Sequence, residues 1–208
     1  MKPLPRRFFS RDPRRVARNL LGKLLIRNRG KKVLAGRIVE VEAYLEKDDP
    51  AAHAAAGLTA RNRVLFGPPG HAYVYFIYGN HFCLNVSCQP EGEAGCVLIR
   101  ALEPLAGLEE MARARGLPQA TLAHFAGSLA AKRKLTTGPG RLCQAMGITR
   151  ARDNGRDLAS PRSGLWIADD GFRPRRITRT PRVGINMAAG RLLRYVLTGN
   201  PFVSGSRG

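Results

Sequence analysis

Gly36–Leu45 reads GRIVEVEAYL, and the alternation inside it decides what kind of fold this chain forms. Apolar residues alternate with glutamates and a tyrosine, which is the two-residue period of a strand with two unlike faces. On a strand over Val33–Leu45, Ile38, Glu40, Glu42 and Tyr44 share one face, while Val39, Val41 and Ala43 share the other. The second face reads as core. The first carries two carboxylates and a phenol.

Downstream, AYVYFIYGNHFCLNVS (Ala72–Ser87) reads as two strands, Ala72–Ile77 and Phe82–Ser87, around Tyr78-Gly79-Asn80-His81. Gly79-Asn80 at the centre suits a tight hairpin turn. CVLIRALEP (Cys96–Pro104) follows, with an apolar strand over Gly95–Ala101. Further short strands are expected at Leu165–Ala168, Arg182–Asn186 and Arg194–Leu197. Val16, Leu20, Leu21 and Leu24 recur near helical spacing, so Pro13–Leu24 reads as a helix with Ser10 and Asp12 as caps. Leu105–Arg115, Gln119–Lys134 and Gly138–Met146 also read as helices, and Asp48–Ala56 starts a short one. There is no repeat, low-complexity tract or linker. The expectation is an α+β chain, one domain over residues 1–208, with a mostly antiparallel sheet, a hairpin and surrounding helices.

Charge narrows the partner. The 208 residues hold 35 Lys and Arg against 15 Asp and Glu, a formal net charge of +20. Such a surplus favours a polyanion, nucleic acid first. An anionic membrane would also attract it, but no run of eighteen apolar residues provides a spanning helix. The basic N-terminus lacks the apolar core and cleavage site of a signal peptide, so the expected compartment is the cytoplasm. Cys83, Cys88, Cys96 and Cys143 form no CxxC pair, which argues against a zinc site and for buried, reduced thiols. Residues 1–37 hold thirteen Lys and Arg with one acid, and residues 132–182 hold thirteen with four acids. Between them, residues 38–58 hold five acids and one lysine. Carboxylates beside bound phosphates are repelled, so this acidic island needs another use.

One use is removal of a base from DNA. The base must leave the stack, a pocket must hold it, and water must be activated at the anomeric carbon of the sugar. The last step resembles glycoside hydrolysis, where a carboxylate stabilises an oxocarbenium-like transition state. Glu42 is the candidate base, and Arg100 the candidate to orient the water and keep Glu42 ionised. Taken alone, Glu42 also reads as a solvated strand glutamate and Arg100 as its ordinary partner. Tyr44, His53 and Tyr75 are candidate pocket walls, since aromatic faces stack on an extruded base. Singly, each tyrosine also reads as a sheet or core residue. Asn85 stands in an apolar strand and needs partners if buried, which a base edge would supply. Tyr78, Asn80 and His81 sit at the hairpin tip, where an aromatic can wedge into the minor groove. Arg61, Arg63, Lys134 and Arg141, with Lys132 and Arg133, are candidate phosphate contacts. Thr136-Thr137-Gly138-Pro139-Gly140 is a candidate backbone anion cradle.

Taken together, these segments resemble the alkyladenine (3-methyladenine) DNA glycosylase family. GRIVEVEAYL, AAH (Ala51–His53), RNRVLF (Arg61–Phe66), YVYFIYGNHFCLN, CVLIRALEP, TTGPGRLCQAMGI (Thr136–Ile148), RVGI (Arg182–Ile185) and NPFVS (Asn200–Ser204) occur in the family's order. The resemblance covers about Leu20 to Ser204. It implies a curved sheet with a protruding hairpin and a monofunctional glycosylase without metal or cofactor. Its partner would be double-stranded DNA carrying damaged purines. By resemblance, Glu42 is the catalytic glutamate, Arg100 shares its water, and the Val183 backbone carbonyl also holds that water. Tyr44, His53 and Tyr75 stack on the base, Tyr78 intercalates, and Asn85 discriminates against the exocyclic amine of guanine. The compact length suggests a bacterial member, and a monomer is the expected state. The tip after Tyr78, Gly79-Asn80-His81, is slighter than in some relatives, which weakens the expectation that it wedges.

Two rivals stand beside this reading. A non-catalytic basic nucleic-acid-binding protein would explain the charge but leave Glu42, Arg100 and Asn85 without a purpose. An RNA-directed enzyme of related fold is separated from it only by comparing DNA and RNA substrates.

Overall fold

Among the described residues, nine strands join in one curved sheet in which every ladder is antiparallel. They are seen in a computed structural model that describes residues 1–117, 125 and 127–205. The strands are β1 (Lys2–Pro3), β2 (Leu24–Arg29), β3 (Lys32–Tyr44), β4 (Ala72–Ile77), β5 (His81–Ser87), β6 (Cys96–Ala106), β7 (Leu165–Asp169), β8 (Ile177–Thr180) and β9 (Arg194–Leu197). The described helices are α1 (Arg6–Phe9), α2 (Pro13–Leu20), α3 (Leu108–Ala114), α4 (Leu129–Thr136), α5 (Pro139–Ala145) and α6 (Arg150–Asp153). The main order is β1-β7-β2-β3-β6-β5-β4, with β9 on β3 and β8 on β9. The α+β expectation holds.

The 13-residue β3 organises the sheet. One edge pairs with β6 along most of its length. The other is shared, its first half taken by β2 and Glu40–Glu42 by β9. Two register irregularities flank Glu40 in the β3–β6 ladder. Ile38 pairs with Leu102 but Glu40 with Ala101, so Val39 is extra on β3. Val41 pairs with Ile99, so Arg100 is extra on β6. A bulge turns neighbouring residues towards one side. This corrects the alternation read from sequence, because Ile38 lies in the core with Val39 and Val41, whereas Glu40 and Glu42 keep to the other face.

The core face carries the helices. In α2, Pro13 occupies the first turn and the Asp12 carboxylate caps it by accepting from the Arg14 N–H. This places Val16, Ala17 and Leu20 against β3 in the main core. Complete burial of a side chain such as Leu20 stabilises by about 1.5–3 kcal/mol. The helix stops before the expected Leu24. Gly22 takes the left-handed region (φ +86°) and the chain turns into β2, a strand that the helical spacing had concealed.

Other boundaries moved for local reasons. β6 runs on through Ala106 where a helix from Leu105 was expected. Gly107 (φ +75°) then turns the chain, and a Cβ there would lie 2.9 Å from the Val33 carbonyl oxygen. Of the helix expected over Gln119–Lys134, residues 118–124 and 126 lie outside the described residues, and α4 begins at Leu129. Asp48–Ala56 yields only a 3₁₀ turn at His53–Ala56. Arg182–Asn186 forms no strand, since the Val183 N–H and the Arg182 side chain are spent on other partners. Edge strand β8 was not foreseen, being largely polar and without a fully buried residue.

The hairpin turn is also shifted by one residue. Tyr78 (φ +52°) and Gly79 (φ +69°) are its central pair, and the Asn80 N–H donates to the Ile77 carbonyl. Two left-handed residues suit the twist of the flanking strands. A tyrosine there carries local strain, about 1–2 kcal/mol against a right-handed conformation.

Candidate active site

The face of the sheet opposite the helices gathers the chemistry. Pairing sets Glu42 opposite Leu98 on one side and Arg194 on the other, Tyr75 opposite Cys83, and Tyr73 opposite Asn85. A cleft of about 360 Å³ opens above them. Tyr44, Tyr75, Tyr78, His81, Arg100 and Val183 all line it, and the segment from Thr137 to Arg141, which runs into the first turn of α5, closes one side. That segment is fixed by a bridge between Thr137 and Ala101 of β6.

Glu40 and Glu42 are both fully buried, yet their surroundings differ. Glu40 Oε1 accepts from Arg100 Nε, Arg194 Nε and the Ser204 hydroxyl, each at 2.8 Å. Its Oε2 accepts from the Ser204 N–H at 2.6 Å. Glu40 is thereby tied into a structural knot joining β3, β6, β9 and the segment that follows β9. Glu42 is held from the cleft side. Oε1 accepts from the Val183 N–H at 2.8 Å and lies 3.3 Å from Arg100 Nη1, while Oε2 accepts from the Tyr44 hydroxyl at 3.0 Å. An ionised carboxylate oxygen has about two acceptor sites, so Oε2 keeps one open. The three groups that fix Glu42, namely Tyr44, Arg100 and Val183, all face the cleft.

Charges around the pair reinforce this arrangement. Burial alone would lower the Arg100 pKa, but Glu42 and Glu40 outweigh it and the guanidinium is held above its ordinary value. Burial first, then the negative charge of Glu42, raises the Tyr44 phenol well above its ordinary range, so it stays a donor. At Val183 the structure brings the amide N–H to Glu42.

Tyr44 has a support that sequence reading missed. The Arg182 guanidinium lies over its ring, 4.6 Å from the centroid. Arg182 is clamped by Asp49 through two 2.7 Å bonds and donates to the Ala43 carbonyl at 3.1 Å. Asp49 Oδ2 also accepts from the Leu45 N–H, so one buried acid braces both the arginine and the end of β3. Part of the acidic island is explained here. The signal lay only in the pairing of Asp49 with Arg182, residues far apart in the chain. Asp49→Asn is expected to cost about 1.5–3 kcal/mol, as for a buried charged hydrogen bond deprived of its charge, and to loosen the Tyr44 wall. Equal denaturation midpoints for variant and wild type would refute it.

His53 stands behind Tyr75 and not in the cleft wall. Their rings meet edge-on with centroids 4.5 Å apart, and His53 Nδ1 lies 2.8 Å from the Tyr73 hydroxyl. Burial first, then the charge of Arg61, holds the imidazole below its ordinary value of 6.5. The unfolded chain therefore takes the proton first. The contribution is complete above about pH 6.5 and is lost as pH falls towards the folded value. Wild type should lose more thermal stability than His53→Gln between neutral and mildly acidic pH. Parallel pH profiles would contradict this.

Asn85 is buried, two pairs further from the hairpin tip than Tyr75 and Cys83. Its amide donates to the Tyr73 carbonyl at 3.3 Å, and its Oδ1 accepts from the Cys96 thiol at 3.7 Å. Cys83, which the sequence reading gave no role, lines the cleft opposite Tyr75 with its thiol pushed up to about 11 by burial. All four cysteines are free and buried.

At the mouth, Tyr78 is 78% exposed, the highest value among the large hydrophobic side chains described. Its hydroxyl reaches to 3.8 Å from where a Cβ on Gly184 would lie, so the tip overhangs the RVGI loop. Asn80 and His81 are both exposed, and the His81 ring lies against α5. A Cβ at Gly140 would lie 2.9 Å from that ring, so only glycine lets hairpin and helix meet so closely. Arg61, Arg63, Lys134 and Arg141 are exposed, and of these Arg141 borders the cleft. Tyr78→Gly should leave stability within about 1 kcal/mol, because relief of left-handed strain offsets the extra chain entropy of glycine. A loss well beyond that in a thermal melt would show that the tip has a structural task.

A family model described as methylpurine-DNA glycosylase (MPG) matches residues 7–201. A curated protein of Koribacter versatilis, named "Putative 3-methyladenine DNA glycosylase", is 59% identical over 207 residues, covering 100% of this chain and 95% of its own. A Burkholderia cenocepacia protein of the same name is 48% identical over 204 residues, covering 98% and 91%. One from Methanocella arvoryzae is 46% identical over 194 residues, covering 93% and 90%.

Proposed function

The chain belongs to the methylpurine-DNA glycosylase family, and from that premise we propose that it turns a damaged purine out of duplex DNA and cleaves its N-glycosidic bond with water activated by Glu42. Membership makes it a hydrolase of N-glycosyl bonds acting on DNA, and it sets aside the non-catalytic reading. Among the described residues, no helix is long and apolar enough to cross a membrane.

One observation carries the mechanism. A buried carboxylate with an open acceptor site is fixed by three groups that themselves line an aromatic cleft. Water donating to Glu42 Oε2 would be aligned by Arg100. As its oxygen bonds to the anomeric carbon, its proton passes to Glu42, the bond to the purine nitrogen breaks, and that electron pair leaves with the base. The negative charge of Glu42 also stabilises the cationic sugar. Tyr44 and Tyr75 would flank the base, with His53 bracing Tyr75. Asn85 would read its edge once the base displaces the internal partners of the amide. Tyr78 would fill the gap in the stack, while Arg61, Arg63, Lys134 and Arg141 grip the backbone with a salt-dependent affinity.

The substrate class is the 3-methyladenine, hypoxanthine and ethenoadenine group. The cationic 3-alkylpurine is already a good leaving group, whereas neutral lesions need a proton as they depart. We further propose a monomer acting in the cytoplasm, on nucleoid DNA if the source is a bacterium, with no cofactor. Base release from duplexes carrying one hypoxanthine or ethenoadenine, and from alkylated DNA, tests the proposal. Binding without release of any of these would refute it.

A further inference from the structure

A groove of about 580 Å³, larger than the cleft, lies between α2 and the β8–β9 ladder. Five arginines line it, namely Arg14, Arg15, Arg18, Arg175 and Arg179, over a floor that includes Ile177 and Tyr195. No acid lines it. Asp12 pairs with Arg14, and among the described residues the other four have no carboxylate partner. The two basic stretches of the sequence, about 160 residues apart, meet here without serving the cleft.

Pairing fixes which side of the sheet this is. Tyr195 pairs with Val41 and with Arg179. Directly paired residues point to the same face, and Val41 and Tyr195 belong to the core on which α2 packs. Arg194 and Glu42, the next pair along, point to the cleft face. The arginine groove and the cleft therefore lie on opposite faces of one sheet.

We propose that this groove binds the phosphodiester backbone of a second nucleic-acid segment while the first occupies the cleft. Like charges are not gathered without cost, because four uncompensated guanidinium groups repel one another until an anion joins them. Their arrangement favours an extended anion. Arg14, Arg15 and Arg18 are exposed along one helix, and Arg175 and Arg179 are exposed along the facing segment. Donors splayed along an open groove suit successive phosphates, each contact releasing counterions. A compact anion is better served by donors that converge in a closed pocket. A protein able to hold two segments can pass between them without releasing both.

The test uses the full chain, wild type and the double variant Arg15→Glu/Arg175→Glu, with thermal melts to show that both are folded. Beads carrying an undamaged duplex are loaded with protein and then offered a second, fluorescent undamaged duplex. Wild type should retain the second duplex in a salt-sensitive manner, and the variant should retain about tenfold less. Single-turnover base release from a short damaged duplex should differ by less than about twofold between them, because the changes are remote from the cleft. Failure of wild type to retain a second duplex, or equal retention by the variant, overturns the proposal. So does charge-dependent binding of phosphatidylserine vesicles or inorganic phosphate in its place. Retention is read without base release, so failure of the glycosylase reading would appear separately, as absent release beside intact bridging.

Discussion

In duplex DNA carrying one hypoxanthine, Glu42→Gln is expected to release the base about 10²–10⁴-fold more slowly than wild type, the usual contribution of a positioned general base. Binding of the duplex and thermal stability should change little. The substitution preserves shape, so the amide oxygen can still accept from the Val183 N–H and the amide nitrogen can face the Tyr44 hydroxyl oxygen. Basicity is lost, along with the negative charge beneath the developing sugar cation. The deficit should be smaller for 3-methyladenine than for hypoxanthine, because a cationic base leaves with less help. Single-turnover kinetics with excess enzyme separate this from slow product release. A rate near wild type would remove Glu42 from the mechanism and leave the carboxylate a structural task.

The second large effect concerns Glu40, two positions earlier, and it differs in kind. Glu40→Ala is expected to destabilise the protein by about 3–5 kcal/mol, the usual cost of stranding a buried charge. Arg100 and Arg194 would both lose their shared carboxylate, and the Ser204 hydroxyl and N–H would lose their acceptor. For a chain of this size that corresponds to a fall in melting temperature of about 6–20 °C. Activity should fall too, but only as folding or the position of Arg100 fails, so a preparation held well below its melting point should recover part of it. A denaturant midpoint unchanged by Glu40→Ala would contradict the structural role. The contrast separates two acidic neighbours on one strand face, one spent on cohesion and one left with an open acceptor site.

Much of this was legible in the sequence because strands were legible. Ala72–Ile77 and Arg194–Leu197 stand as read, and β3 differs by one residue at each end. Local alternation therefore sufficed to place Glu42 and Tyr44 on a common face, and the family resemblance joined them to Arg100, Tyr75 and Tyr78. What escaped depends on distant pairing. Ile38 was put on the wrong face because a bulge is set by the partner strand and not by the residues that carry it. Arg182 reads as a strand residue in sequence, yet its conformation answers to Asp49 and Tyr44, more than a hundred positions away. The division of labour between Glu40 and Glu42 was equally invisible, since Ser204 and Arg194 decide it. The Tyr78 turn was misplaced by one residue because tyrosine in the left-handed region runs against ordinary preference.

The paired irregularities around Glu40 make strand length, more than strand composition, the quantity this protein cannot vary. The spare residue on β3 is cancelled by the spare residue on β6, so the register at Glu42 and Leu98 is the same as at Arg37 and Glu103. Loss of Val39 alone, or gain of one residue beside Arg100, would undo the cancellation. Every side chain from Glu40 to Tyr44 would then be driven through the sheet, with carboxylates entering the apolar core and valines the cleft. Among homologous sequences, gaps should accordingly gather in the turns and avoid these two strands, or occur in both at once.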